Sequence, residues 1–162
     1  MRTDGLAAAR WIALLLPLAL LGGALGSQYL GGLYPCEMCH WQRWPHYAAV
    51  VVAALSFVVP SRPARMLFVL FAGVLIAVSG AIGVFHAGVE YHWWQGVTAC
   101  TSGLAANPDP MAMLTEALRK PFVRCDAAQW TMFGISLAGF NAILSLGGAV
   151  AIFALAPRRA PA

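Results

Sequence analysis

The chain has 162 residues, 60% of them from the set AVILMFWYC and only 10% charged. A soluble domain carries roughly 25% charged residues, so this chain cannot cover a globule with a solvated surface, and it reads as an integral membrane protein. Its net charge of +4 lies with Arg2, Arg10, Arg62, Arg65, Arg158 and Arg159, at the two ends and in one short turn, which excludes the basic patch that nucleic-acid binding requires.

A transmembrane helix needs roughly 20 apolar residues to cross about 30 Å of hydrocarbon. The first such run covers 11–29, behind Arg2 and Arg10. With Ala24-Leu25-Gly26 it also resembles a secretory signal peptide ending in small residues. The apolar run continues past that point to Leu30, so an uncleaved first span is expected. A loop of about 30–43 follows and holds Cys36-Glu37-Met38-Cys39-His40. The second apolar run, 44–59, is short, and its helix is expected to begin near Gln42 or Arg43. Pro60-Ser61-Arg62-Pro63-Ala64-Arg65 has room only for a hairpin turn before the third span, 66–85.

The long connection of about 87–130 is the one place with room for extended extramembrane structure. Within it, Asp109-Pro110 has the form of an N-cap followed by proline at the first helical position. Met111, Leu114 and Leu118 then recur at helical spacing, which predicts a short amphipathic helix lying on the membrane surface or packed on its own protein. The fourth span covers 131–156. Trp11, Tyr29, Trp44, Trp93, Trp94 and Trp130 fall at span ends, where aromatic side chains form interfacial belts. Residues 1–162 are therefore expected to form a single all-α membrane domain, a four-transmembrane-helix bundle.

Orientation follows from Lys/Arg excess, which marks the cytoplasmic side. The two termini and the 60–65 turn hold six basic residues and one acid, Asp4; the other two loops hold four basic residues and five acids. Both termini are thus expected in the cytoplasm and both longer loops outside. An even number of spans agrees.

All four cysteines, Cys36, Cys39, Cys100 and Cys125, fall in the outer loops, where disulfides persist. Four cysteines permit three connectivities; pairing Cys36 with Cys39, and Cys100 with Cys125, is favoured because the first two are adjacent. Cys36 and Cys39 have the C-x-x-C spacing of dithiols that cycle between oxidation states. A purely structural bridge there would gain little, since loop-closure benefit grows with loop length. The Cys100–Cys125 loop is the better staple.

Arg43 lies one helical turn after Cys39. It would stabilise a Cys39 thiolate and could donate hydrogen bonds to a carbonyl oxygen, or simply anchor in the headgroups. Cys36–His40 also matches C-x-x-C-H, the attachment signature of c-type haem. A loop of about a dozen residues is too short to wrap a macrocycle, and haem gives Cys100 and Cys125 no role. A four-thiolate zinc site fits poorly, because 24 residues separate Cys100 from Cys125 where zinc knuckles use short spacings. No metal is expected. His46 is expected to be buried in the second span and His92 to be interfacial. His86 should end the third span level with the C-x-x-C, as a candidate hydrogen-bond donor to a bound cofactor.

Three segments carry a family resemblance: Pro35-Cys36-Glu37-Met38-Cys39-His40-Trp41-Gln42-Arg43-Trp44-Pro45; His86-Ala87-Gly88-Val89-Glu90; and Cys125-Asp126-Ala127-Ala128-Gln129-Trp130, which leads into Phe133-Gly134-Ile135-Ser136-Leu137-Ala138. With the four-span pattern they resemble the bacterial disulfide bond formation protein B family, thiol–quinone oxidoreductases of the inner membrane. The resemblance implies a relay. A reduced periplasmic thioredoxin-fold dithiol oxidase attacks the Cys100–Cys125 disulfide through Cys100. Electrons pass to Cys36–Cys39 and then to a membrane quinone, ubiquinone or menaquinone, held beside Cys39 by Arg43 with help from His86. The competing readings are a membrane-anchored c-type haem protein and a non-enzymatic disulfide-stapled membrane protein.

Overall fold

In a computed structural model, which describes residues 5–97, Met111 and 123–157, the chain is mostly helical. Helix α1 spans Gly5–Tyr29, α2 Glu37–Val58, α3 Arg62–Glu90 and α4 Leu137–Leu155. Two-residue strands β1 (Thr131–Met132) and β2 (Ile135–Ser136) pair antiparallel just before α4, Thr131 opposite Ser136. The helices form a ring in which α3 packs chiefly on α2 and α4, and α1 closes the other side against the same two. Cys100 and most of the expected amphipathic helix lie outside the described residues.

The radial distribution is that of a bundle in lipid. Its core is built from small side chains, among them Ala9 and Ala13 of α1, Ala49 and Ala53 of α2, Ala72 of α3 and Ala149 of α4. Large apolar side chains such as Leu18, Val51, Leu55, Phe71, Val74 and Val150 face outward. Small residues let helix backbones approach where lipid removes the hydrophobic drive for association. Gly83 marks one such approach: a Cβ there would lie 3.0 Å from the Ala138 carbonyl oxygen and the Ala142 nitrogen, so α3 and α4 meet backbone to backbone.

Among the described residues, α1, α3 and α4 are long and apolar enough to cross a membrane. Helix α2 has 22 residues but does not qualify by composition, because His40, Gln42, Arg43 and His46 crowd its first half. Gln42 and His46 are buried inside the bundle, so that polarity faces protein rather than lipid.

Several boundaries differ from those expected. Helix α2 begins at Glu37, not near Gln42 or Arg43, because Cys36 is its N-cap: extended in backbone, it accepts a hydrogen bond on sulfur from the Cys39 N–H at 3.3 Å. Hydropathy could not show this start, since the first turn carries the exposed polar residues Glu37 and His40. Helix α4 begins at Leu137 rather than at 131, as the residues before it form the hairpin. Phe133 and Gly134 turn that hairpin with φ of 53° and 77°, the double left-handed conformation of a type I′ turn. Ser136 then caps α4 by accepting from the Gly139 N–H at 3.1 Å. Helix α3 runs on to Glu90, about one turn past the expected end.

Candidate functional site

The site lies where the N-terminus of α2 meets the C-terminus of α3, beneath segment 123–130. As N-cap and third helical residue, Cys36 and Cys39 share the first turn of α2, and their sulfurs lie 3.1 Å apart as thiols. A disulfide needs about 2.05 Å, so closure takes a movement of about 1 Å. Cys125 completes the cluster. It has no exposed surface and packs with Cys36, Met38 and Val89. Hydrogen bonding to Cys125 and Cys39, followed by burial, raises the Cys36 thiol above its ordinary pKa. The sulfur brought against the C-x-x-C from the later segment is thus Cys125.

Segment 123–130 is fastened to the chain before α2 at one end and braced internally at the other. Gln129 Nε2 donates to the Tyr34 carbonyl at 2.6 Å. Arg124 forms a two-pronged ion pair with Asp126 at 2.8 and 2.6 Å. That hydrogen-bonded guanidinium holds the Asp126 carboxyl below its usual value.

Arg43 is half-buried and donates to Gln28 Oε1 at 2.5 Å and to the Ala24 carbonyl at 3.1 Å, fastening α2 to α1. A guanidinium carries five N–H donors, so others remain for an acceptor. Arg43 and Cys39 line one open cleft with His86, Glu90, Trp130 and Leu137. His86 lies one turn inside the end of α3 and is buried, its Nε2 3.5 Å from Cys36 Sγ and 3.7 Å from Glu90 Oε1.

Behind His86 runs a polar network that the sequence reading did not anticipate. Gln42 Nε2 lies 2.7 Å from His86 Nδ1, and Asn141 Nδ2 donates to Gln42 Oε1 at 2.8 Å. Ser79 Oγ donates to the Gln42 carbonyl at 2.8 Å. Asn141 Oδ1 lies 3.0 Å from His46 Nε2 and accepts from Ser145 Oγ at 3.0 Å. Polar side chains inside apolar helices are costly and tend to mark function, so Gln42, Ser79, Asn141 and Ser145 were visible as exceptions within their runs. Glu90, which closes the His86–Glu90 segment but was given no role of its own, has a buried side chain beside His86 with Oε2 lacking a hydrogen-bond partner. His46 is buried as expected, while His40 and His92 are exposed.

Residues 7–155 match the family model described as disulfide bond formation protein DsbB. The chain belongs to the DsbB family. It is 30% identical to a disulfide bond formation protein B of a Polaromonas species over 150 residues, covering 87% of each chain. A protein of the same description from Acinetobacter baumannii is 30% identical over 135 residues, 79% of each chain, and one from Methylococcus capsulatus 30% over 136 residues, 80% of each. No solved structure matches the chain. Among DsbB family members, then, this one is a mostly helical membrane protein with its described cysteines gathered at one end of the bundle.

Proposed function

We propose that the protein is a membrane thiol–quinone oxidoreductase of four spans, in which α2 crosses with α1, α3 and α4 and both termini are cytoplasmic. It would reoxidise a periplasmic thioredoxin-fold dithiol oxidase in the bacterial inner membrane. The observation that carries this reading is the contact of Cys125 with Cys36 beside a cleft shared by Cys39 and Arg43.

Thiol–disulfide exchange proceeds by thiolate attack on a disulfide sulfur. A partner thiolate attacks Cys100 of the Cys100–Cys125 bond and releases Cys125 as a thiolate; the second partner thiol then displaces Cys100, so the partner leaves as a disulfide. Cys125 attacks Cys36 of the Cys36–Cys39 bond, forming Cys125–Cys36 and expelling Cys39 as a thiolate. Cys100 attacks Cys125 in turn, remaking Cys100–Cys125 and releasing Cys36. The electron pair now rests on Cys36 and Cys39.

The lining of the cleft supports a quinone headgroup as its occupant. Leu33, Leu137 and Ala138 supply apolar wall, and Arg43 and Cys39 line the same space. A bound quinone would accept two electrons and two protons. Arg43 would hold its carbonyl oxygen and stabilise the charge developing there. His86 lines the cleft, but its ring bonds to Cys36, Glu90, Gln42 and the Cys125 backbone, so its role is assigned to sulfur first.

The test is to reduce the detergent-solubilised protein, remove reductant, and add ubiquinone or menaquinone. Both disulfides should return with stoichiometric loss of quinone absorbance. A protein that stays reduced with either quinone overturns the proposal.

A further inference from the structure

Cys36, Cys39 and His86 offer three ligand atoms within 4.8 Å of one another. The 3.5 Å from Cys36 Sγ to His86 Nε2 matches the edge of a tetrahedron with Zn–S of about 2.3 Å and Zn–N of about 2.0 Å. The two sulfurs, 3.1 Å apart, are closer than the edge of about 3.8 Å that tetrahedral zinc sets, but the clustering of three ligand atoms still suggests a metal site. The far side of the imidazole decides against it.

A metal-bound histidine donates its second ring N–H to an acceptor. Here the second nitrogen, Nδ1, faces the side-chain amide of Gln42, and backbone carbonyls, which only accept, settle which atom it meets. The Ser79 carbonyl takes a hydrogen bond from Asn141 Nδ2 at 3.2 Å. The same nitrogen faces Gln42, which must therefore present Oε1 to it. Gln42 Nε2 is thereby turned to the Met38 carbonyl at 3.3 Å and to His86 Nδ1. His86 Nδ1 is an acceptor, and the single proton of the neutral ring sits on Nε2, facing Cys36 Sγ and Glu90 Oε1, with the Cys125 backbone also in hydrogen-bonding reach of the ring.

We propose that Gln42, held by Asn141 and Ser79, is a positioning residue that fixes His86 in the Nε2–H tautomer, so that the ring offers the Cys36 sulfur a hydrogen-bond donor instead of a metal-binding lone pair. The consequence for catalysis rests on the relay proposed above. When Cys100 attacks Cys125, the Cys125–Cys36 bond breaks and its electron pair leaves on Cys36. The His86 N–H stabilises that thiolate by hydrogen bonding, without transferring its proton. The same arrangement discriminates against thiophilic cations. Reduced sulfurs beside an imidazole lone pair would capture such an ion; beside an N–H they lose a ligand.

The test uses the full chain in detergent, reduced, labelled with 15N-histidine and held at pH 8, above the ordinary histidine value of about 6.5. Two-bond 1H–15N correlations report the tautomer, with His86 assigned by its loss in His86→Gln. Wild type should show Nε2 protonated and Nδ1 bare. Gln42→Glu replaces the donor with an acceptor and should place a proton on Nδ1. In a Cd²⁺ titration followed by thiolate-to-cadmium absorbance, Gln42→Glu should bind at least about 10-fold tighter than wild type, the scale on which outer partners of a ligand act. Gln42→Met, which offers neither donor nor acceptor, should show both tautomers, and it decides the matter if Gln42→Glu does not fold. A wild-type Nδ1–H, or variants that change neither tautomer nor Cd²⁺ affinity, overturns the proposal. Quinone reduction measured on the same samples separates the two readings: the wrong tautomer in an active protein sinks this inference alone, and the right tautomer in an inactive one sinks the relay alone.

Discussion

The contact between Gln42 and Asn141 joins helices that lie across the ring from each other, and a double-mutant cycle measures what it contributes. Asn141→Leu removes donors to Gln42 Oε1 and to Ser79 and the acceptor facing His46 and Ser145. Gln42→Met removes the bonds to Asn141 and His86. On the scale of buried groups in water-soluble proteins, each orphaned partner costs about 1–3 kcal/mol. In lipid the unfolded helices also find partners, and interhelical hydrogen bonds average about 0.6 kcal/mol with a maximum near 1.7. The second scale applies to a bundle whose outer surface is apolar. Asn141→Leu should therefore cost about 2 kcal/mol and Gln42→Met about 1 kcal/mol. The double variant should cost less than their sum by about 0.6–1.7 kcal/mol, because the shared bond is lost only once. The assay is unfolding of the reduced protein in mixed micelles, followed by tryptophan fluorescence. Singles without effect, or a double that is additive to within about 0.3 kcal/mol, would refute the reasoning.

Arg43→Ala should raise the apparent KM for quinone far more than it slows single-turnover oxidation of the partner, and unchanged quinone kinetics would remove Arg43 from the site. Cys36→Ser should leave Cys100–Cys125 able to exchange with a dithiol partner while steady-state turnover stops; continued turnover breaks the proposed order. The raised thiol of Cys36 gives a pH prediction for the reduced protein. Its protonated form is favoured by folding, so that contribution is complete below the ordinary value of 9.0 and is lost as pH rises through the higher folded value. Wild type should thus lose stability above pH 9 relative to Cys36→Ala; a difference that is flat with pH speaks against the hydrogen bonds to Cys125 and Cys39.

How much of this was legible in the sequence depends on range. The apolar runs announced α1, α3 and most of α4, since lipid demands continuous hydrocarbon on their outer faces. They missed the start of α2 because Glu37 and His40 make its exposed first turn polar, which a linear average cannot distinguish from a loop. The start of α4 was set too early because Thr131–Ser136 is apolar enough to read as span while its backbone turns through two left-handed residues. The C-x-x-C and its neighbour Arg43 were local and visible. The bonds from Gln42 to His86 and Asn141 join residues 44 and 99 positions apart, and nothing in the linear pattern pairs them. Burial of Cys125 against Cys36 belongs to the same long-range class.

That burial has a kinetic side. Small thiols diffusing in solution need an in-line approach to a sulfur, and Cys125, with no exposed surface, offers none, while Cys36 offers almost none. In the proposed relay, disulfides formed at this cluster would thereby be shielded from stray thiols, which would otherwise consume the membrane acceptor without oxidising the partner.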